Sequence, residues 1–366
     1  ETNRFSGSET IDRDTRFFSF TTGGAEAVSH VLVPMRRNNF ELAAATRLGD
    51  PGKSWILGLS LDRTIIEQIG APELVLNEDF GGATTGEASL SDDVMRQVGG
   101  RGATRLALHV GTRRYRYQEY VGLDAVRERE VVPLGFLGGL TIGRSLGIFV
   151  PDGVPDADDT YARWHSTLTV PVRQSIIRFS TTWEAGYSKG DWRDLLGEID
   201  LALWARADWL RNQTIFFKAS MGGGWRTTMP FQLSLGGREG VRSLRDDEHP
   251  GGTRLLLVLE DRIQFGWPSW RTLGLGATLF ADAGQVWKGD VPYGADTDWV
   301  GSVGFGLRIA LPAESRTIWR PEIVFPVGHD GSPIFRVTFE VNRIRFLGGT
   351  SRMADARRFR RGIEAY

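Results

Sequence analysis

Residues 175–187 read SIIRFSTTWEAGY, and the pattern of this stretch decides the fold. Its two faces alternate strictly: one carries Ile177, Phe179, Thr181, Trp183, Ala185 and Tyr187, and the other carries Arg178, Ser180, Thr182, Glu184 and Gly186. A period of two residues is typical of a β-strand with one mainly apolar face and one polar face. The stretch therefore predicts a strand that separates two different environments.

The same alternation recurs along the chain, for example in residues 55–63 (WILGLSLDR), 198–209 (EIDLALWARADW) and 299–311 (WVGSVGFGLRIAL). The polar faces carry arginine, aspartate and glutamate, which a soluble β-sandwich would turn to bulk water and a membrane barrel to a polar lumen. Six tryptophans near predicted strand ends suit the girdles at membrane interfaces, namely Trp164, Trp183, Trp209, Trp267, Trp270 and Trp299. The pattern favours a membrane β-barrel over a soluble sandwich, with about sixteen strands.

Composition narrows the classes of function. The chain of 366 residues has no cysteine, which excludes a disulfide framework and thiolate metal sites. Its formal net charge of -1 gives no electrostatic reason to expect a nucleic-acid partner. The longest uncharged candidate, residues 131–143, is too short for an ordinary transmembrane helix. The sequence starts at Glu1 without a basic-then-apolar leader, so either a signal peptide has been removed or the numbering starts inside a longer product.

Motifs for catalysis or metal binding are weak. Residues 143–147 (GRSLG) match a serine nucleophile elbow, but no helix is predicted after them, and residues 49–54 (GDPGKS) lack phosphate-loop spacing. The carboxylates of Asp152, Asp156, Asp158 and Asp159 lack the spacing of a calcium loop, and no histidine pair has zinc-site spacing. We predict no catalytic residue, metal or cofactor, and a hydrolase that uses His109 or His165 stays the least favoured alternative.

A charged, glycine-rich loop interrupts the strand pattern at residues 236–252 (GGREGVRSLRDDEHPGG), between the strand-like residues 229–235 and 253–265. Two glycine pairs, Gly236 with Gly237 and Gly251 with Gly252, are predicted hinges. Alternation places Glu260 and Asp282 on the lumen face of neighbouring strands. A carboxylate inside a narrow barrel needs a cation, and Arg242 in the loop offers one.

Four segments occur in a specific order: 235–244 (LGGREGVRSL), 255–262 (LLLVLEDR), 280–287 (FADAGQVW) and 302–312 (SVGFGLRIALP). Together they resemble the barrel of the superfamily that contains BamA, TamA and the two-partner-secretion transporters, also called bacterial surface antigen barrels. The family motif positions fall on Val241, Phe280, Gly284 and Trp287. Ser243 and Leu244 depart from the family pattern, which has glycine and an aromatic residue there.

This resemblance implies an all-β fold: a single 16-stranded antiparallel barrel in the outer membrane of a Gram-negative-type bacterium, with the long loop folded into the lumen. It implies that Arg242 docks on Asp282 and Glu260 as a latch. The implied activity is protein insertion into, or translocation across, the outer membrane, without enzymatic chemistry. A structural or anchoring subunit of an envelope complex and a small-solute channel are the alternatives. The resemblance implies that outer-membrane lipid and lipopolysaccharide surround the barrel. Family assembly factors carry periplasmic receiver (POTRA-type) modules before the barrel. Because strand-like sequence begins at about residue 17, we expect no such module within this sequence.

We assign residues 1–346 to the barrel and residues 347–366 to a basic C-terminal tail. Residues 334–346 (IFRVTFEVNRIRF) are the predicted last strand. An even strand number places both termini on the periplasmic side. The tail carries Arg352, Arg357, Arg358, Arg360 and Arg361. A disordered tail and a docking segment for an acidic partner, such as another envelope protein, are equally compatible with it.

Overall fold

The computed structural model describes residues 2–19, 30–70, 73–75, 84–85, 100–150, 157–210, 212–227, 233–236, 240–244, 248–290 and 296–341. Every regular element in these ranges is a strand: β1 (Thr2–Ser19), β2 (His30–Asp50), β3 (Lys53–Gln68), β4 (Glu73–Val75), β5 (Thr84–Thr85), β6 (Arg101–Val121), β7 (Arg129–Ser145), β8 (Thr160–Val172), β9 (Ser175–Ser188), β10 (Asp191–Ala205), β11 (Gln213–Trp225), β12 (Leu233–Ser234), β13 (Pro250–Gly251), β14 (Thr253–Gln264), β15 (Gly274–Trp287), β16 (Val300–Ala310), β17 (Thr317–Val327) and β18 (Ile334–Val341).

The strands form one large antiparallel sheet in which most neighbours are consecutive in sequence. Its order is β18-β17-β16-β15-β14-β11-β10-β9-β8-β7-β6-β3-β2-β4-β5, with β1 paired to β2. No helix of the described residues is long and apolar enough to span a membrane.

The sheet does not show a closed barrel. Within the described residues, β1 pairs only with β2 and β18 only with β17, so the sheet has two free ends. It has sixteen members, but β4 and β5 have three and two residues, whereas a membrane strand needs about 9–11. The all-β antiparallel fold is confirmed, while closure and sixteen membrane strands stay predictions.

The predicted strand at residues 229–235 is described only from residue 233, and residues 229–232 lie outside the described residues. In the large sheet β11 pairs directly with β14, from Gln213↔Ile263 to Gly223↔Thr253. This pairing occupies the edges of β11 and β14 to which a strand between them would have to bind. The short β12 instead pairs with β13 in a separate two-stranded sheet. The long connection therefore runs from Arg226 to Gly252.

Burial alternates along the strands as the sequence predicts. In β15, Phe280 and Asp282 are buried, while Leu279, which directly precedes Phe280, is 53% exposed. In β14, Glu260 is buried next to the half-exposed Leu259. The inner face is therefore rich in charged and glycine residues, and the outer face in leucine, valine and phenylalanine.

The two ends of the sheet differ in their connections. One end, which we call the short-turn end, carries the connections at 51–52, 122–128, 173–174, 206–212, 265–273 and 311–316. The other, the long-loop end, carries the three longest connections, at 69–100, 146–159 and 226–252, together with those at 20–29, 189–190, 288–299 and 328–333. Thr2 pairs with Arg47 and Val341 with Thr317, so β1 begins and β18 ends at the short-turn end.

Candidate functional site: an ion-pair network between two inward-folded connections

The connection between β11 and β14 folds onto the inner face of the sheet. Three of its apolar side chains, Leu235, Val241 and Leu244, are buried against Leu256, Val286 and Val300 of the strands. A compact turn holds them, since the Val241 N–H donates to the Leu235 carbonyl at 2.9 Å and the Leu244 N–H to the Val241 carbonyl at 3.2 Å. This apolar cluster fixes the position of Arg242.

Arg242 meets both predicted carboxylates. Its guanidinium forms an ion pair with Glu260 and lies 3.9 Å from Asp282 Oδ1. Its backbone N–H donates to Asp282 Oδ2 at 3.0 Å, and its guanidinium carbon lies 4.0 Å from the centroid of the Phe280 ring. Glu260 is thus the nearer partner of the guanidinium, while Asp282 binds mainly the loop backbone.

Glu260 also has two cationic partners that sequence reasoning missed. Arg262 Nε donates to Glu260 Oε2 at 2.7 Å, and Arg320 Nη2 donates to Glu260 Oε1 at 3.0 Å. Arg320 also pairs with Glu322 at 2.7 Å, and Arg336 lies 3.7 Å from Glu322. Buried charges of this kind are stable only when each is compensated, so the network acts as a unit.

Ser243 and Leu244, which depart from the pattern of the superfamily that the sequence resembles, both contact the inner face of the sheet. The Ser243 hydroxyl donates to the Gly301 carbonyl at 3.2 Å, and the Ser243 backbone is not in the positive-φ region. Leu244 joins the apolar cluster in place of an aromatic side chain. The other motif positions lie around the loop: Val241 is fully buried, and a Cβ on Gly284 would lie 3.4 Å from Val241 Cγ2. Trp287 ends β15, where it pairs with Thr253.

Two of the predicted hinge glycines, Gly251 and Gly252, lie against β15. Gly236 is buried, and Gly237 is outside the described residues. A Cβ on Gly251 would lie 2.3 Å from Val286 Cγ1, and the Gly252 N–H donates to the Trp287 carbonyl at 2.9 Å. In the structure these last two glycines serve close approach of the backbone to β15.

A second connection, residues 122–128 between β6 and β7, also folds inward, and it contains no motif that the sequence analysis identified. The Glu130 carboxylate accepts the N–H groups of Leu123, Asp124 and Ala125 at 2.7, 2.9 and 3.0 Å. Leu123 packs with Val132, Leu134, Ile176, Ala202 and Trp204. The tip of this hairpin is thereby held as a compact body inside the sheet's concave face.

This hairpin tip reaches strands far from its own. Asp124 accepts a hydrogen bond from Trp204 Nε1 at 2.8 Å and pairs with Arg262. Arg127 donates to the Pro268 carbonyl at 2.5 Å, and Glu128 pairs with Arg316 at 3.3 Å. Because Arg262 also binds Glu260, a continuous chain Asp124–Arg262–Glu260–Arg242–Asp282 links the hairpin tip to the long connection.

The candidate catalytic motifs do not assemble. Ser145 of GRSLG donates to Asp159 at 2.8 Å, and Asp159 also binds Arg105. His109 lies between Ser60 at 2.9 Å and Thr141 at 3.0 Å. Asp152 and Asp156 are outside the described residues, as is the whole basic tail. Among the residues that the structure places, no group of three or more histidine or acidic side chains is arranged to hold a metal ion.

Substitution of Gly240 tests how tightly the turn in the connection between β11 and β14 is packed. A Cβ there would lie 2.0 Å from the Leu235 carbonyl oxygen, so Gly240→Ala is expected to displace the turn that positions Arg242. We expect limited proteolysis to cut within residues 236–252 at least about tenfold faster, because cleavage follows the population of the open form. Gly266→Ala is the control, since nothing lies within 4 Å of a Cβ added at that position. Equal cleavage rates in the two variants would contradict the tight turn.

Comparison with known proteins finds similar solved structures, but no matching family profile or curated sequence. No protein-family profile matches the chain, and no curated protein matches it. Among solved structures, CdiB from Escherichia coli is similar with a TM-score of 0.41 and 12% sequence identity. The match covers 92% of this chain but 61% of the CdiB chain.

Proposed function

We propose that this chain is an outer-membrane β-barrel of the BamA-like superfamily, with sixteen membrane strands, that takes part in inserting or translocating proteins and has no enzymatic chemistry. The observation that carries the proposal is the inward-folded connection whose Arg242 is held by Glu260 and Asp282. That contact joins the first three of the four ordered sequence segments into one structure.

A membrane position is supported by the outer face of the sheet. Large apolar side chains are exposed on most strands, such as Leu59 at 54%, Phe305 at 49% and Phe339 at 58%. Exposed tryptophans lie toward both ends: Trp55, Trp209, Trp267, Trp270 and Trp319 at the short-turn end, and Trp164, Trp183, Trp192, Trp225 and Trp299 at the long-loop end. An apolar belt between two aromatic girdles is the surface of a protein that spans a bilayer with strands.

The lengths of the connections at the two ends of the sheet support an orientation in the membrane. Outer-membrane barrels have short periplasmic turns and longer extracellular loops. The short-turn end, where β1 begins and β18 ends, would therefore face the periplasm. Outer-membrane lipid and lipopolysaccharide would surround the belt, and the basic tail would be available to envelope partners.

The filled inner face favours a gated barrel over an open small-solute channel. One connection enters from the long-loop end and the other from the short-turn end, and buried ion pairs join them. A permanently open pore needs a free lumen, whereas a translocation or insertion barrel must stay closed between clients. The same closure suits a structural or anchoring subunit, so a transport assay has to separate these two.

The deciding experiment locks the long connection. The chain has no cysteine, so Val241→Cys with Gly284→Cys introduces a single thiol pair. A Cβ on Gly284 would lie 3.4 Å from Val241 Cγ2 and 2.8 Å from Leu235 Cδ2, the end of a side chain that has to rotate to admit it. The full chain is reconstituted in liposomes and offered an unfolded outer-membrane barrel protein. Protease-protected client is then counted in the reduced and oxidised states.

An active insertase is expected to fold client above the level of empty liposomes when reduced and to lose at least about tenfold of that rate when oxidised. The unsubstituted chain under the same oxidant is the control. Inserted chain with no gain over empty liposomes would overturn the insertion role and leave the structural-subunit alternative. Ion conductance of the unsubstituted chain comparable to an open pore would instead favour the channel.

A further inference from the structure

The outer face of β6 changes character near the short-turn end. Leu106, Leu108 and Val110 lie on this face, and Arg114 and Arg116 continue it at the same two-residue period. The neighbouring β3 shows the same order on its outer face, from Leu59 and Leu57 through Trp55 to Lys53. Lys53 and Arg114 are paired in register, so their side chains emerge side by side.

These cations border a groove at the rim of the sheet, which we call the rim groove. It has a volume of about 470 Å³, and its lining includes Lys53, Arg114, Arg116, Gly135, Leu168 and Val170. Leu168 and Val170 are 43% and 40% exposed and belong to the outer face of β8. The groove thus has cations on one side and an apolar wall on the other.

The backbone of β7 shapes the groove. Gly135 has a φ of 134°, and a Cβ there would lie 2.1 Å from the Arg114 carbonyl oxygen. Beyond this point β6 and β7 continue to the inward-folded tip, while β8 ends its pairing with β7 at Gly135↔Thr169. The departure of the β6–β7 hairpin from β8 opens the space between them.

The charge of the rim groove is unbalanced. Its lining includes three cations and no carboxylate. Within the described residues, the ion pairs of the protein do not include Lys53, Arg114 or Arg116. The carboxylates nearest along the strands are those of Asp50, which is paired in register with Lys53 across the β2–β3 turn, and Glu119, which pairs with Arg129 at 3.5 Å. Three cations on one face repel one another and favour an anion between them.

We propose that the rim groove binds the phosphate-containing headgroup of one anionic glycerophospholipid, with an acyl chain along Leu168 and Val170. The inference rests on the proposed membrane barrel, because it needs the outer face of β8 to meet acyl chains. A guanidinium binds phosphate oxygens with two parallel hydrogen bonds, and the rim groove offers two of them, those of Arg114 and Arg116. The apolar wall is what separates a lipid from a free phosphate ion as occupant.

The test measures lipid retained by the full chain in an uncharged detergent. Native mass spectrometry counts adducts as phosphatidylglycerol, phosphatidylethanolamine or inorganic phosphate is titrated in. We expect one phosphatidylglycerol to bind with an affinity at least about tenfold above phosphatidylethanolamine, and the triple variant K53Q/R114Q/R116Q to lose at least about tenfold of it. K53Q alone is expected to lose a smaller part.

The matched control removes three exposed cations from the other end, in K189Q/R193Q/K288Q, and is expected to bind as the unsubstituted chain does. Equal phosphatidylglycerol binding by the two triple variants would overturn the inference, and so would inorganic phosphate that displaces the lipid at equal concentration. Insertion of the full chain into liposomes is measured in parallel. Failure to insert would overturn the membrane-barrel proposal, whereas insertion with an unchanged triple variant would overturn the lipid site alone.

Discussion

Glu260→Gln is expected to lower the free energy of unfolding by about 3–5 kcal/mol, the range for breaking a buried ion pair. Glu260 is 2% exposed and faces three guanidinium groups, those of Arg242, Arg262 and Arg320. A neutral amide removes the negative charge that all three cations share and leaves each with one other carboxylate, Asp282 for Arg242, Asp124 for Arg262 and Glu322 for Arg320. Their repulsion and lost solvation act in the folded state only, so stability falls.

Urea unfolding of the lipid-reconstituted chain, followed by tryptophan fluorescence, measures this effect. Asp261→Asn is the matched control, because Asp261 follows Glu260 on the opposite face of β14 and makes none of these ion pairs. We expect the control to change the free energy by less than about 1 kcal/mol, as for surface substitutions. A Glu260→Gln chain as stable as the control would show that the arginines do not depend on this carboxylate.

Glu130→Ala is expected to release the inward-folded hairpin tip. The buried carboxylate accepts three backbone N–H groups within 3.0 Å, and alanine leaves all of them without that acceptor. Each unsatisfied buried donor costs about 1–3 kcal/mol, enough to open the tip locally while the sheet stays folded. Hydrogen exchange at residues 122–130 is therefore expected to rise at least about a hundredfold.

Glu119→Ala is the control for this variant. Glu119 lies on the same hairpin, but its side chain is 61% exposed and its pair with Arg129 is at the surface. An exposed pair of this kind contributes about 0–1 kcal/mol, so the exchange of the tip should hardly change. Fast exchange in both variants would mean that the tip is held by something other than the Glu130 carboxylate.

The strand faces and the three residues of the predicted latch follow from local pattern. Alternation is a property of a strand by itself, so the inward direction of Glu260 and Asp282 needed no knowledge of neighbouring strands. Arg242 could be placed with them because the order of the four segments resembles a known family. Arg262 was within reach of the same reasoning, since it shares the inner face of β14 with Glu260.

Local sequence pattern could not predict which distant strands pair with one another. The sequence predicted a strand at residues 229–235, but its described part, Leu233–Ser234 of β12, pairs with β13 outside the large sheet, since β11 pairs directly with β14. Hydrophobic alternation carries no information on which edge a segment meets. The inward fold of residues 122–128 was missed for the same reason, because its contacts, Trp204, Arg262 and Arg316, lie at least 80 residues away in sequence.

The sequence by itself determined an all-β chain with one apolar and one charged face and marked Arg242, Glu260 and Asp282 as a group. Those features depend on residue period and residue type, which are local. Only the tertiary structure decided that Glu260 is the centre of the network and that a second connection reaches it through Asp124 and Arg262. A buried charge is stable only beside its complete set of partners, and that set is assembled from strands far apart in the chain.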